Sequence, residues 1–234
     1  MRDLKNLYVR ANTCVACHQN VDADLLQAGH PELIFELDGQ AVSEPKHWRE
    51  TTNWNGAQAW LIGQQVALRE MSWQLASEKS PTENHVDRWS AVHWVVQVGK
   101  VADVMPTPEN LKRVQEQYDQ LARQVATVGL PVDDIQQRVL PKFASASADF
   151  RDASISQPLQ ARRAERLVLA LDRLVTALPE LDKNEPAQSA LKQLFKDAQS
   201  LPDFSPSQFA GHLQDFQKMV ATSSREANKP KAEK

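Results

Sequence analysis

The sequence predicts an all-α protein, and three observations lead to this prediction. Only 7 of the 234 residues are glycine, about half of the usual ~7% share, whereas sheet proteins use many glycine turns. After residue 55, apolar residues recur every three to four positions, which is the spacing of an amphipathic helix. The strand-like run Leu7-Tyr8-Val9-Arg10 is short and stands alone.

The composition excludes several classes of protein. The 27 Lys and Arg residues against 30 Asp and Glu give a net charge of −3, whereas nucleic-acid binders carry a basic excess. With 41% hydrophobic residues and no long apolar run, the chain is predicted to be globular, without a membrane span. Its 2 cysteines are too few for a disulfide framework.

Two helices are predicted in the first part of the periodic region, over residues 55–78 and 83–104. One face of the first helix carries Ala57, Trp60, Leu61, Gln64, Leu68, Met71 and Leu75. The corresponding face of the second carries Val86, Trp89, His93, Val96 and Val101.

A third helix begins after Pro106. Thr107 is predicted as its N-cap with Pro108 in the first helical position, and Gly129-Leu130-Pro131 is predicted to end it. The apolar stripe between these signals consists of Leu111, Val114, Tyr118, Leu121, Val125 and Val128.

The remaining helices follow the same pattern. Residues 132–152 predict a weaker helix interrupted at Pro141, residues 158–179 and 186–201 carry leucine-rich faces, and Ser205-Pro206 begins a last helix. We interpret these stripes as the core of an antiparallel bundle. A solvated face is expected for four arginines: Arg162, Arg163, Arg166 and Arg173.

Both cysteines lie in the run Cys14-Val15-Ala16-Cys17-His18, which has the spacing of a haem-attachment motif. Two thiols three residues apart can form thioethers with the two vinyl groups of one haem, and the adjacent histidine becomes the proximal iron ligand. We therefore expect one covalent haem c, with Cys14, Cys17 and His18 as its binding residues.

Other readings of the two cysteines are a thioredoxin-like redox pair, a zinc site and a buried structural pair. The redox pair is expected in a βαβ context, and no strand pattern precedes this motif. A zinc site needs further ligands, and no second cysteine pair supplies them.

His30 is the first candidate for the distal iron ligand. It follows Gly29, which permits a turn, and precedes Pro31, which fixes the backbone. The alternative is that His30 is an ordinary turn histidine. His47, in Glu44-Pro45-Lys46-His47-Trp48, is the alternative distal ligand. His93 and Met71 follow, although each is more simply a core residue.

The haem motif and the segments after it resemble the multihaem c-type cytochromes of the cytochrome c-554 group. The resemblance covers about residues 10–75. Its parts are the Cys14–His18 motif, the segment Ala28-Gly29-His30-Pro31-Glu32-Leu33-Ile34-Phe35-Glu36, Pro45-Lys46-His47-Trp48 and Trp60-Leu61-Ile62-Gly63-Gln64.

The resemblance implies histidine-ligated haem in the bacterial periplasm, with His18 proximal and His30 distal. Two departures matter. Ala23 stands where such chains often have a histidine, and no second Cys-x-x-Cys-His follows Gly63-Gln64, so a single haem is expected.

The opening Met1-Arg2-Asp3-Leu4-Lys5-Asn6 contains no apolar signal region. We therefore expect either a removed export signal or a chain that is part of a longer polypeptide.

These observations predict four parts of the chain. Residues 1–53 are expected to form a c-type haem-binding segment, 54–105 a helical haem cover, 106–222 a helical bundle scaffold and 223–234 a disordered tail. The predicted fold is thus an N-terminal haem segment packed on a multi-helix antiparallel bundle.

The expected function is that of a periplasmic c-type cytochrome that transfers electrons between redox protein partners, as a single chain, an oligomer or part of a multihaem assembly. The alternative is a haem enzyme or gas-binding module with an open or displaceable sixth iron position, where His93 or His47 would act as acid and base. A sensory module, in which the bundle transmits the haem state, is the third reading.

Overall fold

A computed structural model describes residues 3–19, 23–30, 35–38, 50, 54–78, 82–97, 106–200 and 202–227. For Cys17, Ala23, Leu26 and 223–227 it describes the backbone alone. Over these residues the regular secondary structure is entirely helical, without a strand, which confirms the predicted all-α class. The same residues include no helix that is long and apolar enough to cross a membrane.

The described chain divides into two compact units. The first contains the described residues within 3–96 and 106–130, and the second contains Gln97 and the described residues within 131–227. The helices of the first unit are α1 (Leu7–His18), α2 (Ala23–Gln27), α3 (Gly56–Ser77), α4 (Glu83–Gln97) and α5 (Pro108–Val128).

The ends of these helices follow local sequence signals. The side chain of Asn55 caps α3 by accepting the N–H of Gln58. Thr107 caps α5, with Pro108 in the first helical position, and Gly129 ends α5 with a φ of 89°. Side-chain caps satisfy N–H groups that the first helical turn leaves unpaired, and glycine adopts a positive φ without strain.

The helix α5 lies in the first unit, whereas the sequence grouped it with the scaffold 106–222. It packs extensively on α3, so the division falls between Leu130 and Pro131. An apolar stripe identifies the buried face of a helix but not the helix that covers it. The shared cluster contains Leu68, Met71, Leu75, Trp89, Val92, Leu111, Val114 and Tyr118.

The second unit contains α6 (Gln157–Thr176), α7 (Glu185–Ala198) and α8 (Pro206–Ala227). The helix predicted to be interrupted at Pro141 runs through that residue instead: a π-helical turn over Ile135–Val139 leads directly into the short helix Leu140–Ala144, which contains Pro141. Proline has no N–H and its ring crowds the preceding turn, so a wider turn before it relieves both problems.

Aromatic packing and one buried carboxylate hold the second unit together. The ring of Phe209 lies 4.6 Å from that of Phe150 and 5.8 Å from that of Phe204, measured between centroids. Asp197, which is 5% exposed, accepts hydrogen bonds from Gln193 on α7 and pairs with His212 on α8 at 2.5 Å. The pair fixes α8 on α7.

Two predictions about the second unit are corrected by the structure. The helix α8 continues to Ala227, so residues 223–227 of the predicted disordered tail are helical, while 228–234 lie outside the described residues. Serine, arginine, glutamate and alanine can all continue a helix, and proline appears only at position 230. Arg163 and Arg166 are 4% and 6% exposed, because long arginine stems pack readily along apolar faces.

A polar cluster joins three helices of the first unit. The Asp119 carboxylate on α5 accepts hydrogen bonds from Tyr8 Oη at 2.6 Å, Arg69 Nη1 at 2.5 Å and Arg123 Nε at 2.9 Å. Burial alone would raise the pKa of Asp119, but the hydrogen bonds from Tyr8, Arg123 and Arg69 outweigh it and lower the pKa to about 2. The ionised carboxylate is therefore strongly favoured in the folded protein.

We expect Asp119→Asn to lower the free energy of unfolding by about 1–2 kcal/mol at pH 7, allowing for partial exposure of the carboxylate. A carboxylate whose pKa is depressed stabilises the fold above its ordinary value of 3.8 and loses this contribution as the pH falls through about 2. Urea unfolding between pH 7 and pH 2 measures both effects. The variant should lack the loss of stability below pH 4 that wild type shows, whereas the exposed Asp133→Asn should retain it. Equal pH dependence in wild type and Asp119→Asn would contradict this account.

Candidate haem-attachment site

The Cys-x-x-Cys-His run forms the last turns of α1. The side chain of Asn6 caps the start of this helix by accepting two backbone N–H groups, and the N–H of Gln19 closes its end on the carbonyl of Val15 at 3.0 Å. The helix is unbroken across the motif, so positions 14, 17 and 18, related as i, i+3 and i+4, share one helical face. The fold thus groups the three predicted attachment positions.

Cys14 lies at the edge of a hydrophobic cluster in the first unit. It is half-buried and in contact with this cluster. An apolar ring attached at this edge would be shielded from water on the side of the cluster. The cluster consists of Ala11, Val15, Phe35, Leu37, Ala59, Ile62, Val66, Ala67 and Ala122.

His18 is half-buried at the end of α1, where a basic side chain interacts favourably with the negative end of the helix dipole. The next residue, Gln19, is only 1% exposed. Its carbonyl accepts a hydrogen bond from Arg88 Nη2 of α4 at 3.2 Å. Neither Nε2 nor Oε1 of its carboxamide has a hydrogen-bond partner in the part of the chain that the structure describes.

Residues 35–38 are buried and pack directly on α3. A Cβ atom added to Gly63 would lie 3.0 Å from Leu37 Cβ, so the missing side chain lets this segment approach the helix closely. Gln64 Nε2 donates to the carbonyl of Phe35 and to Glu36 Oε1, both at 2.9 Å. The Phe-Glu and Gly-Gln pairs that carried the cytochrome resemblance are therefore in contact.

Arg10 lies one helical turn before Cys14 and is 6% exposed. Its Nη1 pairs with Glu50 Oε1 at 2.5 Å, its Nε donates to the carbonyl of Leu4, and its guanidinium lies 5.2 Å from the Trp54 ring centroid. The pair ties residue 50 to the motif helix. The sequence analysis did not single out Arg10. Its position four residues before Cys14, one helical turn away, is the local feature that could have indicated its place beside the motif.

His30 is exposed directly after α2. Gly29 has a φ of 94°, and the His30 N–H bonds to the carbonyl of Leu25 at 2.9 Å. These are features of a Schellman turn, in which a glycine ends the helix and fixes the next residue. Gly29 therefore has the turning role that the sequence suggested, and it places an imidazole at the surface.

The other distal candidates have different surroundings. His47 lies outside the described residues. His93 is 5% exposed and stacks on Trp89 with a centroid distance of 4.7 Å, while its edge faces Tyr118. Met71 is 4% exposed in the cluster between α3 and α5. Both His93 and Met71 are core residues, as the simpler interpretation held.

The described residues fit a covalently attached haem. The half-buried Cys14 and His18 lie on one face of α1, and position 17 lies on the same face. Cys14 also contacts the apolar cluster. The buried carboxamide of Gln19, next to His18, has no hydrogen-bond partner among the described residues, and a polar group of a bound molecule would satisfy it. Among these residues no group of three or more His, Cys, Asp or Glu side chains is arranged to hold a bare metal ion.

The comparisons with known proteins gave no relatives: no family model, curated protein or solved structure matches the chain.

Proposed function

We propose that this protein is a c-type cytochrome that carries one haem on Cys14, Cys17 and His18 and transfers electrons between redox proteins. The observation that carries the proposal is the unbroken helical turn on which these three positions share a face beside the hydrophobic cluster. The resemblance to the cytochrome c-554 group over residues 10–75 supports the same function and remains a prediction.

The chain's residues would hold and tune the cofactor. Cys14 and Cys17 would hold the haem through thioethers, in which each thiol S–H would add across one vinyl C=C, with sulfur on one carbon and hydrogen on the other. His18 would bind the iron through a ring nitrogen, and bound haem would supply one-electron transfer. The apolar cluster around Cys14 keeps water from the attached edge, which favours the iron state of lower charge and raises the reduction potential.

The proposed partner is another redox protein that meets the cytochrome at a small, transient interface. The proposed location is the periplasm, because haem attachment of this type takes place outside the cytoplasmic membrane. Assembly with further haem chains agrees with the resemblance to multihaem proteins.

The decisive experiment is production of the chain with an export signal in a bacterium that matures c-type cytochromes. Mass spectrometry of the denatured protein should find one covalent haem. Absorption spectra of both oxidation states and the electron paramagnetic resonance spectrum of the ferric state should then report low-spin, six-coordinate iron. A protein without haem would overturn the proposal. High-spin ferric iron that readily binds cyanide or nitric oxide would favour the haem enzyme or gas-binding alternative.

A further inference from the structure

An unusual polar pair lies directly beyond the proposed iron ligand. The buried Gln19 follows His18, and the buried Arg88 of α4 donates to its backbone carbonyl at 3.2 Å. Buried carboxamides nearly always have hydrogen-bond partners. Gln19 is 1% exposed, yet both polar atoms of its side chain lack one among the described residues.

The chemistry of this pair matches a carboxylate. A carboxamide N–H and a guanidinium both donate hydrogen bonds, and arginine binds carboxylates with good geometry and full charge. Both kinds of donor suit an acidic group, and Gln19 directly follows the proposed iron ligand in the sequence, with Arg88 bonded to its backbone carbonyl.

Haem carries two carboxylates of its own. Its propionates lie on the ring edge opposite the vinyl groups that cysteines attach. Along α1 the cysteines precede His18, whereas Gln19 and the contact with Arg88 follow it. Gln19 and the attaching cysteines thus lie on either side of His18 in the sequence.

We infer that Gln19 and Arg88 bind a haem propionate, an inference that rests on the proposed haem site. The pair supplies the buried propionate with hydrogen bonds and positive charge, and the propionate accepts a hydrogen bond from Gln19 Nε2, which lacks a partner among the described residues.

Gln19→Leu tests the inference because its effect on the folding equilibrium constant should be opposite in the haem-free and haem-bound chains. In the full-length chain without haem, leucine removes an unsatisfied carboxamide and should raise the folding equilibrium constant, roughly five- to a hundredfold. In the haem-bound chain it removes a bond to the propionate and should lower that constant, roughly tenfold. Urea unfolding of both forms gives the two values. An effect of the same sign in both forms would overturn the inference.

Gln65→Leu is the matched control, because Gln65 is also a buried glutamine, 5% exposed, with an Oε1 that lacks a partner among the described residues. It should change stability in the same direction with and without haem. Acetate added to the haem-free wild type tests a free carboxylate as the ligand. Suppose that acetate stabilises the haem-free wild type but not Gln19→Leu, and that Gln19→Leu changes stability in the same direction with and without haem. These two results would assign the pair to a free anion instead.

Resonance Raman spectroscopy gives a second readout that does not depend on stability. The propionate bending band falls in frequency when the carboxylate loses hydrogen bonds. We expect this fall in Gln19→Leu and Arg88→Leu, and a smaller one in Arg88→Lys, which keeps the charge and loses the planar fork. The exposed Arg138→Leu should leave the band in place. Unchanged bands in a protein that holds haem would overturn this inference alone, whereas a chain that takes up no haem would overturn the proposed function with it.

Discussion

Replacing Cys14 and Cys17 together by alanine is expected to abolish covalent haem attachment completely. The chain has no other cysteine, so no sulfur remains to form a thioether. Denatured protein exported under maturing conditions should have the mass of the bare polypeptide and give no haem stain in a denaturing gel.

The single variants Cys14→Ala and Cys17→Ala make this test more specific. Each should keep one thioether. The absorption band of the reduced haem should then move to longer wavelength because one vinyl group stays conjugated with the ring. Ala16→Ser is the control, since Ala16 is an exposed residue within the same turn, and it should attach haem as wild type does. Full attachment in either single variant with an unshifted band would contradict the assignment of that cysteine.

His30→Ala is expected to convert low-spin iron to high-spin iron. Loss of a strong-field imidazole leaves the sixth position to water or empty, which weakens the ligand field and lowers the energy of the high-spin state. The exposed position of His30 after the Gly29 turn leaves its ring accessible to a haem. Absorption and electron paramagnetic resonance spectra of the ferric protein measure the change.

The histidine controls separate the candidates. His85→Ala should leave the spectrum unchanged, because His85 Nδ1 pairs with Glu78 at 2.9 Å on the surface of the first unit. A low-spin spectrum in His30→Ala together with a high-spin spectrum in His47→Ala would assign the ligand to His47. Low-spin spectra in both variants would contradict both assignments.

Most helices could be predicted from the sequence because their signals are local. The segments 55–78 and 158–179 correspond to Gly56–Ser77 and Gln157–Thr176, and Thr107 and Gly129 mark the ends of α5 as predicted. The helix predicted over 83–104 is described only as far as Gln97. Capping and periodicity act within a few residues, so they can be recognised without knowledge of the fold.

Helix partners could not be predicted in this way. The stripe of α5 gave no sign that it packs on α3, and the arginines of α6 gave no sign that two of them are buried. Burial depends on neighbours that are distant in sequence, and an amphipathic pattern is compatible with many of them.

The candidate site likewise combines local features that could be predicted with long-range contacts that could not. Cys14, Cys17 and His18 are adjacent in sequence, so their grouping could be predicted. The contacts of Arg10 with Glu50 and of Arg88 with Gln19 join residues 40 and 69 positions apart. No local pattern connects such residues, and only the packed helices bring them together.

The placement of the attachment motif on one short helix bears on the order of maturation. Helix α1 ends at His18, whereas most of the hydrophobic cluster beside Cys14 comes from segment 35–38, α3 and α5. Contacts within one helix form much earlier than contacts between distant segments. If the proposed haem attaches here, an emerging chain could therefore receive it while most of the chain is still unfolded, before the distant segments pack around α1.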